Sequence, residues 1–499
     1  MPFPILKAKV PPGQPIKVSV RKSLAFSLLD RYLSLLVSIV STMVLARLLT
    51  PAELGVYSVA MALLIMAATL RDMGAGNYLV QEKELTTDRI RAVWAVQLGI
   101  GVLLALTVTL LSTPAARFFR EPAIRDIMLL LALNYLVNPF GSLTYAWLMR
   151  EMRYDAIAVM RLSSTMVGAL VSMFLAWRGH GAISLAWGSL SATAVNAGVS
   201  MFFRPPGYPW IPGTRELRRV LTFGVQLTGS TAINTVSAAS PEFLLGKFQG
   251  MAAAGYYSRA NGLVAMFNRL VVDAVYSVAL SMFSQQSRSG RSYAEPFIRA
   301  LSYLTVLSWS FTAGLVLLAH PATMLLYGEQ WGPSVPLTRW LACAAAIAVP
   351  IPLCTAALVG AGQLRRMLNS TLVMAAATLC AATLGALLGL AALGPAMVLA
   401  SCVGISAWIY NTRQQVRFTW SALAHCCMRS FTVAAATAGG PLAAVLIFGW
   451  IPETKLAPLT LGISGGIIGF VVAVIFSHHP LGDEMKRLRI ILVDKLHRK

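Results

Sequence analysis

The chain has 499 residues, 57% of them hydrophobic and only 12% charged, with a mean hydropathy of +0.68. The apolar share of roughly 280 residues could furnish about fourteen membrane crossings at about 20 residues each, whereas a soluble protein carries about a quarter of its residues as charged side chains. An ordinary cytosolic enzyme and a single-anchor protein with a large soluble domain are therefore excluded. Lys and Arg number 41 against 19 Asp and Glu, a formal charge of +22, and in a membrane protein that surplus belongs in cytoplasmic loops, so nucleic acid is not its default partner.

The first segment, 1–23, is basic through Lys7, Lys9, Lys17, Arg21 and Lys22 and runs into an apolar stretch without a small-residue cleavage site. It reads as a cytoplasmic N-terminus before an uncleaved first span. Apolar runs lie near 24–48, 54–70, 92–112, 126–147, 156–177 and 181–203, which would make an N-lobe of six helices over 24–203. The stretch 204–219, with Pro205, Pro206, Gly207, Pro209, Pro212 and Gly213, cannot continue a helix and reads as a cytoplasmic connector between two halves.

Six further runs, near 220–246, 253–281, 296–319, 335–360, 367–387 and 391–411, would form a C-lobe over 220–411. A cytoplasmic loop at 412–427 leads to two more runs, near 428–450 and 457–477, and a basic cytoplasmic tail at 478–499 closes the chain. The expected fold is an all-α polytopic membrane protein with about fourteen transmembrane helices, two six-helix lobes related by a parallel repeat plus two C-terminal helices, with twelve spans as the next count. With both termini inside, about 29 basic residues fall in cytoplasmic segments, about 7 in outer loops and about 5 within spans, the bias that sets orientation in the cytoplasmic membrane.

An internal repeat supports the two halves. The stretch VLARLLTPAELGVYSVAMAL from Val44 recurs as LLGKFQGMAAAGYYSRANGL from Leu244, so that Leu45, Gly55, Tyr57 and Ala60 match Leu245, Gly255, Tyr257 and Ala260. Pro139 and Arg153 are spaced as Pro352 and Arg366 are. Copies that cross in the same direction are related by an axis along the membrane normal, which puts a shared cavity between the lobes.

Polar groups inside spans are costly and mark candidate sites. Asp30, Ser34, Ser38 and Ser41 share one face of the first run, and Gln226, Ser230, Asn234 and Ser237 share one face of the seventh. Arg31, Arg161, Arg259 with its neighbour Asn261, and Arg269 are the candidate cavity cations; Asp30, Glu242 and Asp273 are candidates for coupling or ion pairing, Asp273 standing four residues after Arg269 and Glu242 five before Lys247. The excess of arginine among them fits an anionic ligand, because guanidinium presents a planar fork to phosphate.

Other chemistries find no footing. The six cysteines show no Cys-x-x-Cys spacing and imply neither a disulfide framework nor a metal site. There is no Gly-x-x-x-x-Gly-Lys-Ser/Thr motif, so no ATP or other cofactor is expected. Loops too short and too poor in acids argue against a polymerase or glycosyltransferase, and against an enzyme of any kind. Gly465 and Gly469 in GISGGIIG read as helix packing within the chain.

The segment LARLLTPAELGVYSVAMAL after a basic N-terminus, the loop LMREMRYDAIAVM and the half-chain repeat resemble Wzx-type polysaccharide and O-antigen flippases of the multidrug/oligosaccharidyl-lipid/polysaccharide exporter superfamily. The resemblance implies movement of undecaprenyl-pyrophosphate-linked oligosaccharide from the inner to the outer leaflet of the bacterial cell inner membrane, for exopolysaccharide, capsule or O-antigen synthesis. It further implies a monomer in contact with membrane lipids, cavity arginines engaging pyrophosphate or acidic sugars, and a polysaccharide polymerase and assembly proteins as candidate partners. Leu-Leu-Thr-Pro-x-Glu-Leu-Gly-x-Tyr would serve as the turn between the first two helices. A cation-coupled multidrug exporter of the same superfamily and a lipid II flippase are the alternatives.

Overall fold

The computed structural model describes residues 20–71, 78, 79, 82, 85–205, 208, 209, 211–267, 272–289, 293–477 and 479–482. Among them the regular structure is helical: α1 (Val20–Leu48), α2 (Pro51–Arg71), α3 (Thr87–Phe119), α4 (Ala123–Arg150), α5 (Tyr154–Trp177), α6 (Ile183–Phe202), α7 (Leu217–Phe248), α8 (Met251–Phe267), α9 (Asp273–Ser289), α10 (Ala294–Leu317), α11 (Ala319–Tyr327), α12 (Ser334–Ala348), α13 (Ile351–Gly360), α14 (Leu364–Leu388), α15 (Leu390–Val416), α16 (Trp420–Phe448) and α17 (Leu456–Phe476). Ten candidate spans among the described residues are long and apolar enough to cross a membrane, one of them made jointly by α12 and α13. The protein is thus a multi-pass helical membrane protein. The apolar runs near 54–70, 181–203, 220–246 and 253–281 also fall on helices, although these are not among the ten.

Local chemistry sets the breaks. Thr50 caps α2 as a reciprocal box: its Oγ1 accepts from the Glu53 amide at 3.3 Å while its own amide donates to Glu53 Oε2 at 2.8 Å, and Pro51 occupies the first helical position, where no amide is needed. The Leu-Leu-Thr-Pro-x-Glu segment is therefore the α1–α2 turn. Thr86 and Thr419 cap α3 and α16 one way, their hydroxyls accepting from the Arg89 and Ala422 amides. The internal repeat extends to the breaks themselves, because α1 ends at Leu48 and α2 begins at Pro51, while α7 ends at Phe248 and α8 begins at Met251. Ala60 and Ala260 are both fully buried.

The chain divides into two compact units, Met1–Ala239 and Ser240–Lys499. In the first, α5 packs on α1 and α6, and α4 packs on α3 and α6. Gly168 and Gly188 allow the α5–α6 approach, since a Cβ on Gly188 would run into Ser172 and the Gly168 carbonyl. In the second unit α14 packs on α15, α16 on α17, α10 on α16 and α12 on α15. Its core gathers Phe283, Phe297, Leu301, Leu353, Trp408 and Phe418, with the Phe297 and Phe418 rings stacked at 5.4 Å. A Cβ on Gly440 would collide with the Gly466 amide, and one on Gly465 would stand 2.9 Å from the Gly440 Cα. The GISGGIIG segment is thus a packing seam of α17 against α16. Large apolar side chains such as Leu110, Leu446, Ile467 and Phe476 face outward, which is what a lipid surround permits.

The proline-rich connector is fastened to the first unit. Arg204 donates to the Pro209 carbonyl at 2.8 Å and lies over the Trp94 ring at 4.9 Å. Tyr208 is 5% exposed and packs beside Trp147, and burial pushes its phenol pKa upward so that it stays neutral. The Gly213 amide donates to the Arg91 carbonyl at 3.1 Å. Proline and glycine stop the helix, and the arginine and tyrosine then dock what remains.

Candidate functional site

Asp30 on α1 is a buried acid of the first unit, 5% exposed. Its Oδ2 accepts from Arg161 on α5 at 3.2 Å and its Oδ1 accepts from Ser34, one turn along α1, at 3.2 Å. Arg161 also donates to the Tyr145 hydroxyl on α4 at 3.1 Å. Three helices thus converge on one guanidinium. The Arg161 side chain remains 48% exposed while the Asp30 side chain is 4% exposed, so the acid is sealed and the cation is presented at the surface of the unit. A guanidinium has five donors, so this arrangement orients Arg161 and leaves donors for an incoming oxyanion.

The second unit offers a different cation. Arg259 on α8 is partly buried and lies over the ring of Tyr327, at the end of α11, at 5.8 Å. Tyr327 and Tyr256 each pack edge-on against the fully buried Trp331. Ser334 Oγ donates to the Tyr256 carbonyl at 3.1 Å, tying the start of α12 to α8. An aromatic face attracts a cation and holds it in a low-dielectric wall.

The other candidates are scattered by comparison. Arg31, Ser38 and Asn261 are partly buried and Asn234 is exposed. Glu242 is partly buried and lies within electrostatic reach of the buried Tyr257. Arg269 lies outside the described residues, as do the side chains of Gln226, Ser230 and Asp273, so the expected Arg269–Asp273 pair falls outside them too. All six cysteines are free thiols.

Two features escape the sequence reading. The partner of Asp30 is 131 residues away on α5, where Arg31 beside it was the nearer basic neighbour. Tyr327 and Trp331 stand beyond the ninth run, in LLYGEQWG, whose aromatic pair flanking a glycine was the available signal.

The fold is shared with solved membrane transporters. A solved structure of the lipid II flippase MurJ in an inward closed conformation matches with a TM-score of 0.73 at 11% identity, covering 92% of this chain and 99% of that one. At that identity the likeness is one of fold. The family model described as polysaccharide biosynthesis protein matches residues 44–336, more than half of the chain, and the chain belongs to that family. Among curated relatives, the succinoglycan biosynthesis transport protein ExoT of Rhizobium meliloti is 27% identical over 375 residues, 74% of this chain and 75% of that protein. The lipopolysaccharide biosynthesis protein WzxC of Escherichia coli is 23% identical over 307 residues, 61% of this chain and 62% of that protein.

Proposed function

We propose that the protein is a flippase that carries undecaprenyl-pyrophosphate-linked oligosaccharide units from the inner to the outer leaflet of the cytoplasmic membrane, for assembly of an extracellular or surface polysaccharide. The observation that carries this reading is the match of residues 44–336 to a polysaccharide biosynthesis family in a chain whose fold is that of a lipid II flippase. The role is transport, in line with a relative described as a succinoglycan biosynthesis transport protein. Under this reading Arg161 and Arg259 meet the pyrophosphate or acidic sugars, with Arg31 and Arg269 as further cavity cations and Asn234, Asn261, Ser34, Ser38 and Gln226 as hydrogen-bonding groups. The two-lobe division at 204–219, the fourteen spans, the cytoplasmic termini and the monomeric state belong to the same proposal.

The driving force follows from charge. Moving one negative charge out of a negative cytoplasm gains about 2.3 kcal/mol per 100 mV, and alternating access needs no ATP to use it. The experiment is transfer of undecaprenyl-pyrophosphate oligosaccharide in proteoliposomes, wild type beside Arg259→Ala, with and without an imposed potential. Transfer that collapses at least tenfold in the variant and quickens with the potential supports the reading. Absence of transfer, together with proton- or sodium-dependent efflux of a cationic dye, would establish a drug exporter instead. Glu242 is the candidate coupling carboxylate, and Glu242→Gln should abolish any dependence of transfer on a pH gradient while sparing the response to potential.

A further inference from the structure

Where α10 and α16 begin and α17 ends, the second unit opens a cavity of about 680 Å³. It is lined by Arg299 of α10, Arg417 of the α15–α16 turn, and His425 and Arg429 of α16, with Glu295 the one lining carboxylate among the described residues. Arg417 caps α15 with a left-handed backbone, φ 59°, which turns the chain so that Phe418 enters the core and Thr419 starts α16. Arg417 and Arg429 are exposed, and neither side chain makes a hydrogen bond or ion pair among the described residues. His425 Nδ1 donates to the Ser421 carbonyl at 2.9 Å, so Nε2 is the ring atom left for another ligand. At the floor Ser302 accepts from His479 at 2.7 Å. Among the described residues the exposed Arg417 and Arg429 thus stand at the rim of a concavity with Glu295 as its one lining carboxylate.

A second cavity of about 710 Å³ adjoins the first through Glu295 and Arg299. It runs between α9 and α10 and is mainly apolar, lined by Val275, Ala279, Met282, Pro296 and Ala300, with Tyr303 receiving a 2.8 Å hydrogen bond from Arg299 Nε. A basic cavity and an apolar trough that share one arginine suit a ligand with an anionic head and a hydrocarbon tail. A soluble anion would leave the trough empty, and a zwitterionic lipid would bring no net negative charge to Arg417 and Arg429. Basic pockets between transmembrane helices hold anionic headgroups elsewhere for the same electrostatic reason.

We propose that these two cavities form a binding site for an anionic glycerophospholipid of the bilayer, its phosphate held by Arg417, Arg429 and Arg299 and one acyl chain laid between α9 and α10. The site lies within the second unit, at the start of α10, and is separate from the Arg259–Tyr327 pair beyond the other end of that helix. A lipid seated there fastens the α16–α17 pair to α10.

The test uses the full chain, purified in detergent and in nanodiscs, with phosphatidylglycerol and phosphatidylcholine as probes. Native mass spectrometry should show phosphatidylglycerol retained by the wild type and bound about thirtyfold more weakly by the Arg417→Gln/Arg429→Gln variant, two arginine contacts being removed. A control with Arg117→Gln/Arg120→Gln, in the first unit, should bind it as the wild type does. Equal retention by all three proteins overturns the proposal, provided the variants elute as the wild type and melt alike in phosphatidylcholine. Two competition arms separate the sources of phosphate. Stabilisation by inorganic pyrophosphate as large as that by phosphatidylglycerol overturns the lipid assignment in favour of a soluble anion. One-for-one displacement of phosphatidylglycerol by undecaprenyl pyrophosphate overturns it in favour of an entry site for the transported lipid.

Discussion

Breaking the Asp30–Arg161 pair from its two sides is not symmetrical. Removing Arg161 leaves a carboxylate that is 4% exposed with Ser34 as its remaining donor, which costs about 3 kcal/mol for a stranded buried charge. Removing the Asp30 charge leaves a guanidinium that is already half in the open, which costs about 1 kcal/mol. Arg161→Ala should therefore lower Tm by several degrees more than Asp30→Asn, and the double variant should be less destabilised than the sum of the two. Scanning calorimetry of the three proteins checks this, and the opposite order would show that Arg161 does not support the acid. His479 carries a second residue-scale prediction. Its Nδ1 accepts from the Leu481 amide at 3.2 Å and Nε2 donates to Ser302, and burial together with the Arg429 charge lowers its pKa to about 4. The unfolded imidazole takes its proton near pH 6.5, so the unfolded state binds more protons as the pH falls below that value. Tm should hold above about pH 6.5 and decline toward pH 4, and His479→Gln should flatten that decline. Parallel pH profiles for the two proteins would refute the assignment.

The α16–α17 seam sets what its glycines can become. A Cβ at Gly440 meets the Gly466 backbone, whereas one at Gly439 has no atom within 4 Å. Gly440→Leu should cost about 1–3 kcal/mol by overpacking and lower Tm, while Gly439→Leu should leave Tm within about a degree of the wild type. Similar melting of the two would mean that the helices can slide apart without cost. At the α1–α2 turn, Thr50→Ala should cost about 1 kcal/mol, because it frees amides that the capping box satisfies. At this scale the sequence was informative about which helix would be tightly packed, since GISGGIIG has small residues at four-residue spacing. It did not name the partner Gly440, which depends on how two helices cross. The repeat was legible to the residue at the helix breaks, because backbone punctuation by proline, glycine and capping side chains acts locally.

The whole molecule is organised by where its charges stand relative to the bilayer. The proposed orientation places Lys486 through Lys499 in the cytoplasm, so a reporter enzyme that is active only outside the membrane should be silent when fused after Lys499 and active when inserted in the Trp450–Lys455 turn. The reverse pattern would invert the topology. The number of spans is less legible than their presence: ten candidate spans among the described residues meet the length and hydropathy of a crossing, and several remaining runs carry the polar residues that make them candidates for function. A helix that lines a wet path gives up hydropathy, so the runs of greatest functional interest are the ones a hydropathy window weighs least.

Composition, hydropathy and the 200-residue repeat were enough to determine a multi-pass helical protein and its α1–α2 and α7–α8 turns, because these rest on local transfer free energy and local backbone chemistry, whereas the class of transport came from the resemblance of particular segments to a known family. Tertiary structure alone decided that Asp30 meets Arg161 on α5, that Arg259 lies over Tyr327, and that Arg299, Arg417 and Arg429 from three separate stretches ring one cavity. The periodicity of a helix specifies which face a residue occupies, whereas the neighbour across that face is chosen by side-chain volume and the crossing of whole helices.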